Sequence, residues 1–238
     1  MSTAPGADPR LILALDLPSR AQAEAMVERL GDAISFYKIG LQLMAVGGMD
    51  MARDLKARGR QVFLDWKLHD IGATVEKAAA AIAATGSGDL LTVHAEPQVL
   101  AAAVRGTAGS GLKILGVTVL TSLSGQDLGE IGYSLGVATL VERRIRQCLD
   151  AGAAGVIASP HEAALARRIG GPDFLVVTPG VRPAGSAMDD QARAMTPAEA
   201  LAAGASHLVV GRPITAAADP RAAALAVAAE MRSQDRAA

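Results

Sequence analysis

Asp16, Lys38, Asp65, Lys67 and Asp70 alternate acid and base across the first third of this 238-residue chain. The first four lie in short apolar runs: "LILALD" (11–16), "FYKIG" (36–40) and "QVFLDWKL" (61–68). A charge in such a run is costly unless paired, so the pairing has to be specific. Residues two apart on a strand share a face, which sets Asp65 beside Lys67 and leaves Asp70 in the following turn. Lysine is scarce, with five against 18 arginines. A structural ion pair could use the bidentate arginine fork, whereas lysine is a compact ammonium that can release a proton. Two of only five lysines placed in strands suggest a point-charge ammonium that can give up a proton.

A second group lies near the other end of the chain. "HLVVGRPI" (207–214) carries Gly211 and Arg212, and the segment 181–195 carries Arg182 and Gln191. Glycine allows close backbone approach, and arginine forks onto phosphate oxygens. The two groups together point to a small phosphorylated substrate.

These residues need a scaffold that brings strand ends to one rim. Besides the runs above, strands are expected at 90–95, 113–120, 155–159, 174–180 and 207–214. Helices are expected at about 19–31, 48–58, 72–85, 97–108, 136–151, 160–169, 196–203 and 219–234. The strand runs are almost continuously apolar, as in a parallel sheet covered on both faces. Pro18-Ser19, Pro97, Ser159-Pro160, Thr196-Pro197 and Asp219-Pro220 mark helix starts. Eight strand–helix units in series give a (β/α)8 TIM barrel, an α/β fold that commonly fills about 200–250 residues as one domain. An open doubly wound sheet is disfavoured, since neither G-x-G-x-x-G nor G-x-x-x-x-G-K-[ST] occurs. One domain over 1–238 is expected, with residues 1–9 as a flexible N-terminal extension. The long segments 121–136 and 181–195, after strands 5 and 7, are expected to be ligand loops or lids.

Composition narrows the function classes. Half the residues are hydrophobic, and 23 basic residues nearly balance 24 acidic ones. That argues against nucleic-acid binding, which favours a basic excess. Only six aromatics are present, too few for base stacking or a membrane belt. The single Cys148 leaves no internal disulfide and no cysteine-rich zinc site. No apolar run reaches the length of a membrane span, and the first residues do not read as a signal peptide. A cytoplasmic location, with no membrane partner, is expected. His69, His94, His161 and His207 have no metal-ligand spacing and read as structural or exposed. Ser122 and Ser124 have no triad partners.

"LDWKLHDIGATV" resembles the D-x-K-x-x-D-I signature of the orotidine 5′-phosphate decarboxylase family in its bacterial form. "LALDLPS", "FYKIGLQL", "TVHA", "GVTVLTSL", "VTPGVRP", "DDQARAMTPAEAL" and "VVGRPIT" extend the likeness, in order, over about 200 residues. The resemblance implies a carboxy-lyase that converts orotidine 5′-monophosphate to uridine 5′-monophosphate and CO2, the last step of de novo pyrimidine nucleotide synthesis. It implies no metal and no organic cofactor, and a homodimer with shared active sites. It implies a catalytic set of Lys38, Asp65, Lys67 and Asp70, with Lys67 as the proton donor. Asp16 and Lys38 would hold the ribose. Asp70, Ile71 and Thr74 would reach the partner subunit's site. Thr121 and Ser122 would touch the pyrimidine, and Arg182, Gln191, Gly211 and Arg212 the phosphate. The rival within the same superfamily is a Mg²⁺-dependent 3-keto-gulonate-6-phosphate decarboxylase or hexulose-phosphate synthase. Lys38 stands where those relatives carry an acid for the metal. A sugar-phosphate epimerase or isomerase does not match the lysine–aspartate alternation. A non-catalytic nucleotide-phosphate binding protein would lack part of the charged set, and none is missing.

Overall fold

The computed structural model describes residues 6–183 and 195–234. Eight parallel strands close into a barrel in sequence order: β1 (Leu11–Ala14), β2 (Phe36–Gly40), β3 (Gln61–Leu68), β4 (Leu90–His94), β5 (Lys113–Val117), β6 (Gly155–Ile157), β7 (Leu175–Pro179) and β8 (His207–Val210). β1 pairs with both β2 and β8, so the sheet has no free edge. The connecting helices are α1 (Arg20–Leu30), α2 (Leu41–Met44), α3 (Gly48–Ala57), α4 (Gly72–Ala84), α5 (Pro97–Gly106), α6 (Gly125–Ile131), α7 (Val137–Asp150), α8 (Ala163–Gly170), α9 (Pro197–Ala202), α10 (Arg212–Thr215) and α11 (Pro220–Gln234). This is the expected TIM barrel.

Period-2 alternation sorts each strand into two cores. Ile12, Ala14, Phe36, Phe63, Leu90, Leu115, Val177 and Val209 fill the barrel interior. Leu11, Leu13, Tyr37, Ile39, Val62 and Leu64 face outward onto the helices. Those helices return apolar stripes. On α1, Ala23, Met26, Val27 and Leu30 recur at helical spacing and are buried. Ser19 caps that helix, its side chain accepting the Gln22 N–H. Truncating Phe63 to Ala in the closed interior would cost about 3–5 kcal/mol.

Several boundaries differ from expectation. The apolar runs at 11–16, 113–120 and 207–214 leave the sheet early, at Ala14, Val117 and Val210. Beyond those points the chain turns over the barrel mouth, so apolar character outlasts strand geometry. The segment 121–136 contains α6, started by a Ser124–Asp127 capping box. α8 is entered through a single 3-10 turn at Pro160–Glu162. Of the extension expected over residues 1–9, residues 1–5 lie outside the described residues. Ala7 and Asp8 are buried, Asp8 takes a forked pair from Arg10, and Arg232 donates to the Gly6 carbonyl. Among the described residues no helix is long and apolar enough to cross a membrane.

Candidate active site

The strands end around a cleft of about 340 Å³. Its walls follow from the inward positions of successive strands. On β1–β3 the sequence climbs from apolar to charged: Ile12, Ala14, Asp16; Phe36, Lys38; Phe63, Asp65, Lys67. On β5–β8 it stays apolar or small, through Val117, Ile157, Pro179 and Val209 to Gly211. The cleft therefore has a charged side and an apolar side.

Asp65 is the centre of the charged side. Lys67 Nζ lies 2.7 Å from its Oδ1, and Lys38 Nζ lies 3.4 Å from its Oδ2. Lys38 Nζ also lies 3.1 Å from Asp16 Oδ1. Thr92, from β4, donates its hydroxyl to Asp65 at 3.0 Å and accepts the Lys67 N–H at 3.0 Å. Burial pushes the Asp65 carboxyl toward the neutral form, but Lys38, Lys67 and the Thr92 hydroxyl outweigh it and lower its pKa. Asp65 is thus a buried carboxylate that stays charged.

Lys67 sits beside Asp65 as expected, but not by simple alternation. Leu64 pairs with Leu91 and Leu68 with Val93, so Asp65, Trp66 and Lys67 together stand opposite Thr92. This bulge turns Lys67 to φ 48°, the sole non-glycine in the left-handed region among the described residues. Such a backbone costs about 1–3 kcal/mol and persists only where the surroundings enforce it. Here the Thr92 hydroxyl on the N–H and Asp65 on the ammonium do so.

Thr121, Arg182, Gly211 and Arg212 line the cleft, with Arg182 and Arg212 at the end formed after β7 and β8. The Arg182 N–H bonds the Met195 carbonyl at 3.0 Å, closing the base of the 181–195 segment. Gln191 lies outside the described residues. Ser122, expected beside Thr121, is exposed and does not line the cleft. The chain turns there toward α6, so neighbouring residues point apart. Asp70, Ile71 and Thr74 stand outside this chain's own cleft and are exposed, Ile71 to 68%. Asp70 accepts the Ile71 N–H at 2.6 Å.

Two contributors escaped the sequence reading. Thr92 is a small polar residue within an apolar strand, a detectable signal. Gly40 is the second, because a Cβ there would come within 2.9 Å of Asp16 Oδ1 and 3.1 Å of Lys38 Nζ. It lies two residues after Lys38 on the same face, so its spacing also marked it. His69 stacks near His94 at 4.9 Å between centroids, and its Nε2 is 3.6 Å from Glu96 Oε2. Burial lowers the His94 pKa.

An anionic carbon next to Lys67 would meet an ammonium held by carboxylates, with apolar groups across the cleft to thin the water. Such preorganised charge acts strongly in a water-poor site. Among the described residues no three His, Cys, Asp or Glu side chains are grouped to hold a metal ion.

Comparison with known proteins follows this geometry. The model of the orotidine 5′-phosphate decarboxylase / HUMPS family matches residues 9–227. A protein of Caulobacter sp. (strain K31) named orotidine 5′-phosphate decarboxylase is 69% identical over 225 residues, covering 94% of this chain and 98% of the relative. One of the same name from Rhodopseudomonas palustris (strain BisB5) is 55% identical, covering 93% and 94%. The crystal structure of the Lactobacillus acidophilus orotidine 5′-phosphate decarboxylase superposes with a TM-score of 0.83 at 39% identity, covering 94% of this chain and 99% of that one.

Proposed function

The chain belongs to the orotidine 5′-phosphate decarboxylase / HUMPS family and decarboxylates orotidine 5′-monophosphate in pyrimidine biosynthesis; we propose that it does so through Lys67. The observation that carries this reading is the Lys67 ammonium, 2.7 Å from a buried charged Asp65 and facing the apolar wall of the cleft.

The substrate phosphate would lie at the Arg182, Gly211 and Arg212 end, joined by Gln191. Asp16 and Lys38 would hold the ribose. The pyrimidine would lie against Val117, Ile157 and Thr121, with C6 toward Lys67. The C6–CO2⁻ bond then breaks, CO2 leaves, and its electron pair remains on C6. No π system takes up that charge, so the ammonium stabilises it electrostatically. Lys67 transfers its proton to C6, giving uridine 5′-monophosphate, and is reprotonated from water after release. The barrier to be lowered is near or above the top of the usual range of about 8–23 kcal/mol, so phosphate binding must contribute by closing the site. This scheme needs no metal or organic cofactor. A Mg²⁺-dependent sister activity fits the residues poorly. Lys38 Nζ sits 3.1 Å from Asp16 and 3.4 Å from Asp65, where a divalent cation would need those carboxylates. The location proposed is the cytoplasm, with no nucleic-acid or membrane partner.

The homodimer belongs to the same proposal. Ile71 and, after β2, Leu41, Met44 and Val46 are exposed apolar side chains, and Asp70 and Thr74 flank Ile71 on the surface. A second copy covering this face would let Asp70, Ile71 and Thr74 complete its neighbour's site. Mixing inactive Asp70→Ala and Lys67→Ala chains is expected to restore up to about a quarter of wild-type activity, since half the dimers are then mixed and one of their two sites is intact. No recovery, with subunit exchange demonstrated, removes Asp70 from the shared site.

The reaction itself is tested by adding the protein to orotidine 5′-monophosphate with EDTA present and following the ultraviolet change. Metal-independent conversion is expected, with one deuterium at C6 when the solvent is heavy water. Conversion that stops with EDTA would favour the Mg²⁺-dependent sister chemistry.

A further inference from the structure

The amphipathic stripe of α7 carries an anomaly. Leu140, Val141, Ile145 and Cys148 are buried at helical spacing, and Arg144 is buried among them. A guanidinium on an apolar stripe is tolerated only when its donors are satisfied. Arg144 meets that condition with three partners from three segments. Nη1 donates to the Thr118 carbonyl, just past β5. Nη2 donates to Glu96 Oε1, after β4, at 2.9 Å, and to the Tyr133 hydroxyl, after α6, at 2.7 Å. Its guanidinium carbon also lies 5.3 Å from the Tyr133 ring centroid.

Those contacts fall where the sheet stops holding the chain. β5 ends at Val117, and Thr118 makes the last bonds to its neighbour, N–H and hydroxyl both reaching the Ile157 carbonyl at 3.3 and 2.9 Å. The next three residues, Val119, Leu120 and Thr121, form part of the apolar wall of the cleft. No strand ladder positions them. Arg144 grips the chain immediately before them at Thr118 and again at Tyr133, bracketing the segment from behind. Glu96 extends the grip sideways, since its other oxygen is 3.6 Å from His69 Nε2, two residues past Lys67.

We infer that Arg144 is a positioning residue that holds the 118–133 segment in its substrate-receiving arrangement without touching the substrate. The inference rests on the decarboxylase reading of the cleft. Without the clamp, only a fraction of molecules present Val119, Leu120 and Thr121 correctly. Apparent affinity falls by that fraction, while substrate, once bound, restores the arrangement.

The test uses full-length Arg144→Met, which keeps an unbranched side chain of similar length, and Arg144→Lys. For Arg144→Met, KM for orotidine 5′-monophosphate is expected to rise by about tenfold, with kcat within about twofold of wild type. Inhibition by inorganic phosphate, which needs only the Arg182 and Arg212 end, is expected to keep its wild-type constant. Arg144→Lys should not restore KM, because one ammonium cannot reproduce the fork. Should Arg144→Met fold poorly, Tyr133→Phe removes one partner and keeps the ring, and a smaller rise in KM alone is expected. Hydrogen exchange supplies a readout that does not depend on the substrate. Amides of 118–133 should exchange faster in Arg144→Met, and those of β1–β3 should not. Wild-type KM in a folded Arg144→Met protein overturns the inference, as does equal loss of phosphate inhibition or unchanged exchange at 118–133. Failure of wild-type protein to turn over the substrate would overturn the decarboxylase reading instead.

Discussion

The two ends of the barrel treat buried ionisable groups in opposite ways. At the mouth, Asp65 is buried yet its pKa is lowered, so it keeps its charge. At the floor, His207 is buried and its pKa falls from the ordinary 6.5 to about 4, so it loses its charge. Burial opposes the charged form in both. The mouth supplies Lys38, Lys67 and Thr92 around the carboxylate. The floor supplies a T-shaped contact with the Phe36 ring at 5.9 Å between centroids, a hydroxyl from Ser206 at 3.0 Å, and a nearby Lys113 that reinforces neutrality while Asp8 only partly opposes it. A barrel holds an ion in its interior only where it also holds the counter-ions. That separates the end built for chemistry from the end built for stability.

The largest test of this contrast is at the mouth. If the charges there exist for the reaction, Lys67→Ala should lower kcat by about 10⁴-fold or more, since it removes both electrostatic stabilisation and the proton donor. Binding of uridine 5′-monophosphate should largely survive, measured by calorimetry. A kcat within tenfold of wild type would reduce the cluster to a structural ion-pair set. Arg212→Ala should act on kcat/KM by about 2 kcal/mol, the low end for a charge pair, because Arg212 is exposed at the rim. An unchanged kcat/KM would move the phosphate away from β8.

The floor gives a smaller effect on a different quantity. His207 binds its proton more weakly folded than unfolded, so its contribution to stability is complete above about pH 6.5. That contribution is lost as pH falls, the loss reaching about 3 kcal/mol by pH 4. Asp65 adds its own loss only at lower pH, since its pKa lies below the ordinary 3.8. His207→Phe should therefore flatten denaturant-measured stability between pH 6.5 and 4 and leave kcat at neutral pH unchanged. A wild-type slope in that window for the variant would place the titration elsewhere.

Apolar runs made the barrel legible because a parallel sheet buried on both faces leaves strands nearly continuous in hydrophobic residues. The same property blurred their ends. "KILGVTVL" reads as one strand, yet only its first five residues join the sheet, and its last two, Val119 and Leu120, become cleft wall. Asp65 and Lys67 were legible as neighbours. The bulge that seats Lys67 was not, because alternation presumes one residue per ladder step. Arg144 went unread because it is one of three arginines on α7, and nothing in the sequence marks it as the buried one. Its partners Thr118, Glu96 and Tyr133 come together only in the folded barrel. Asp8 hides in a stretch whose proline, glycine and alanine suggest a loose end.

The left-handed backbone at Lys67 sets fold and reaction in conflict at one codon. Glycine would relieve that backbone, worth about 1–3 kcal/mol, but would strip the Asp65 carboxylate of one of its two ammonium partners. Strain and ion pair therefore hold each other in place, and residue 67 cannot be relaxed for stability alone without unseating the charge beside it.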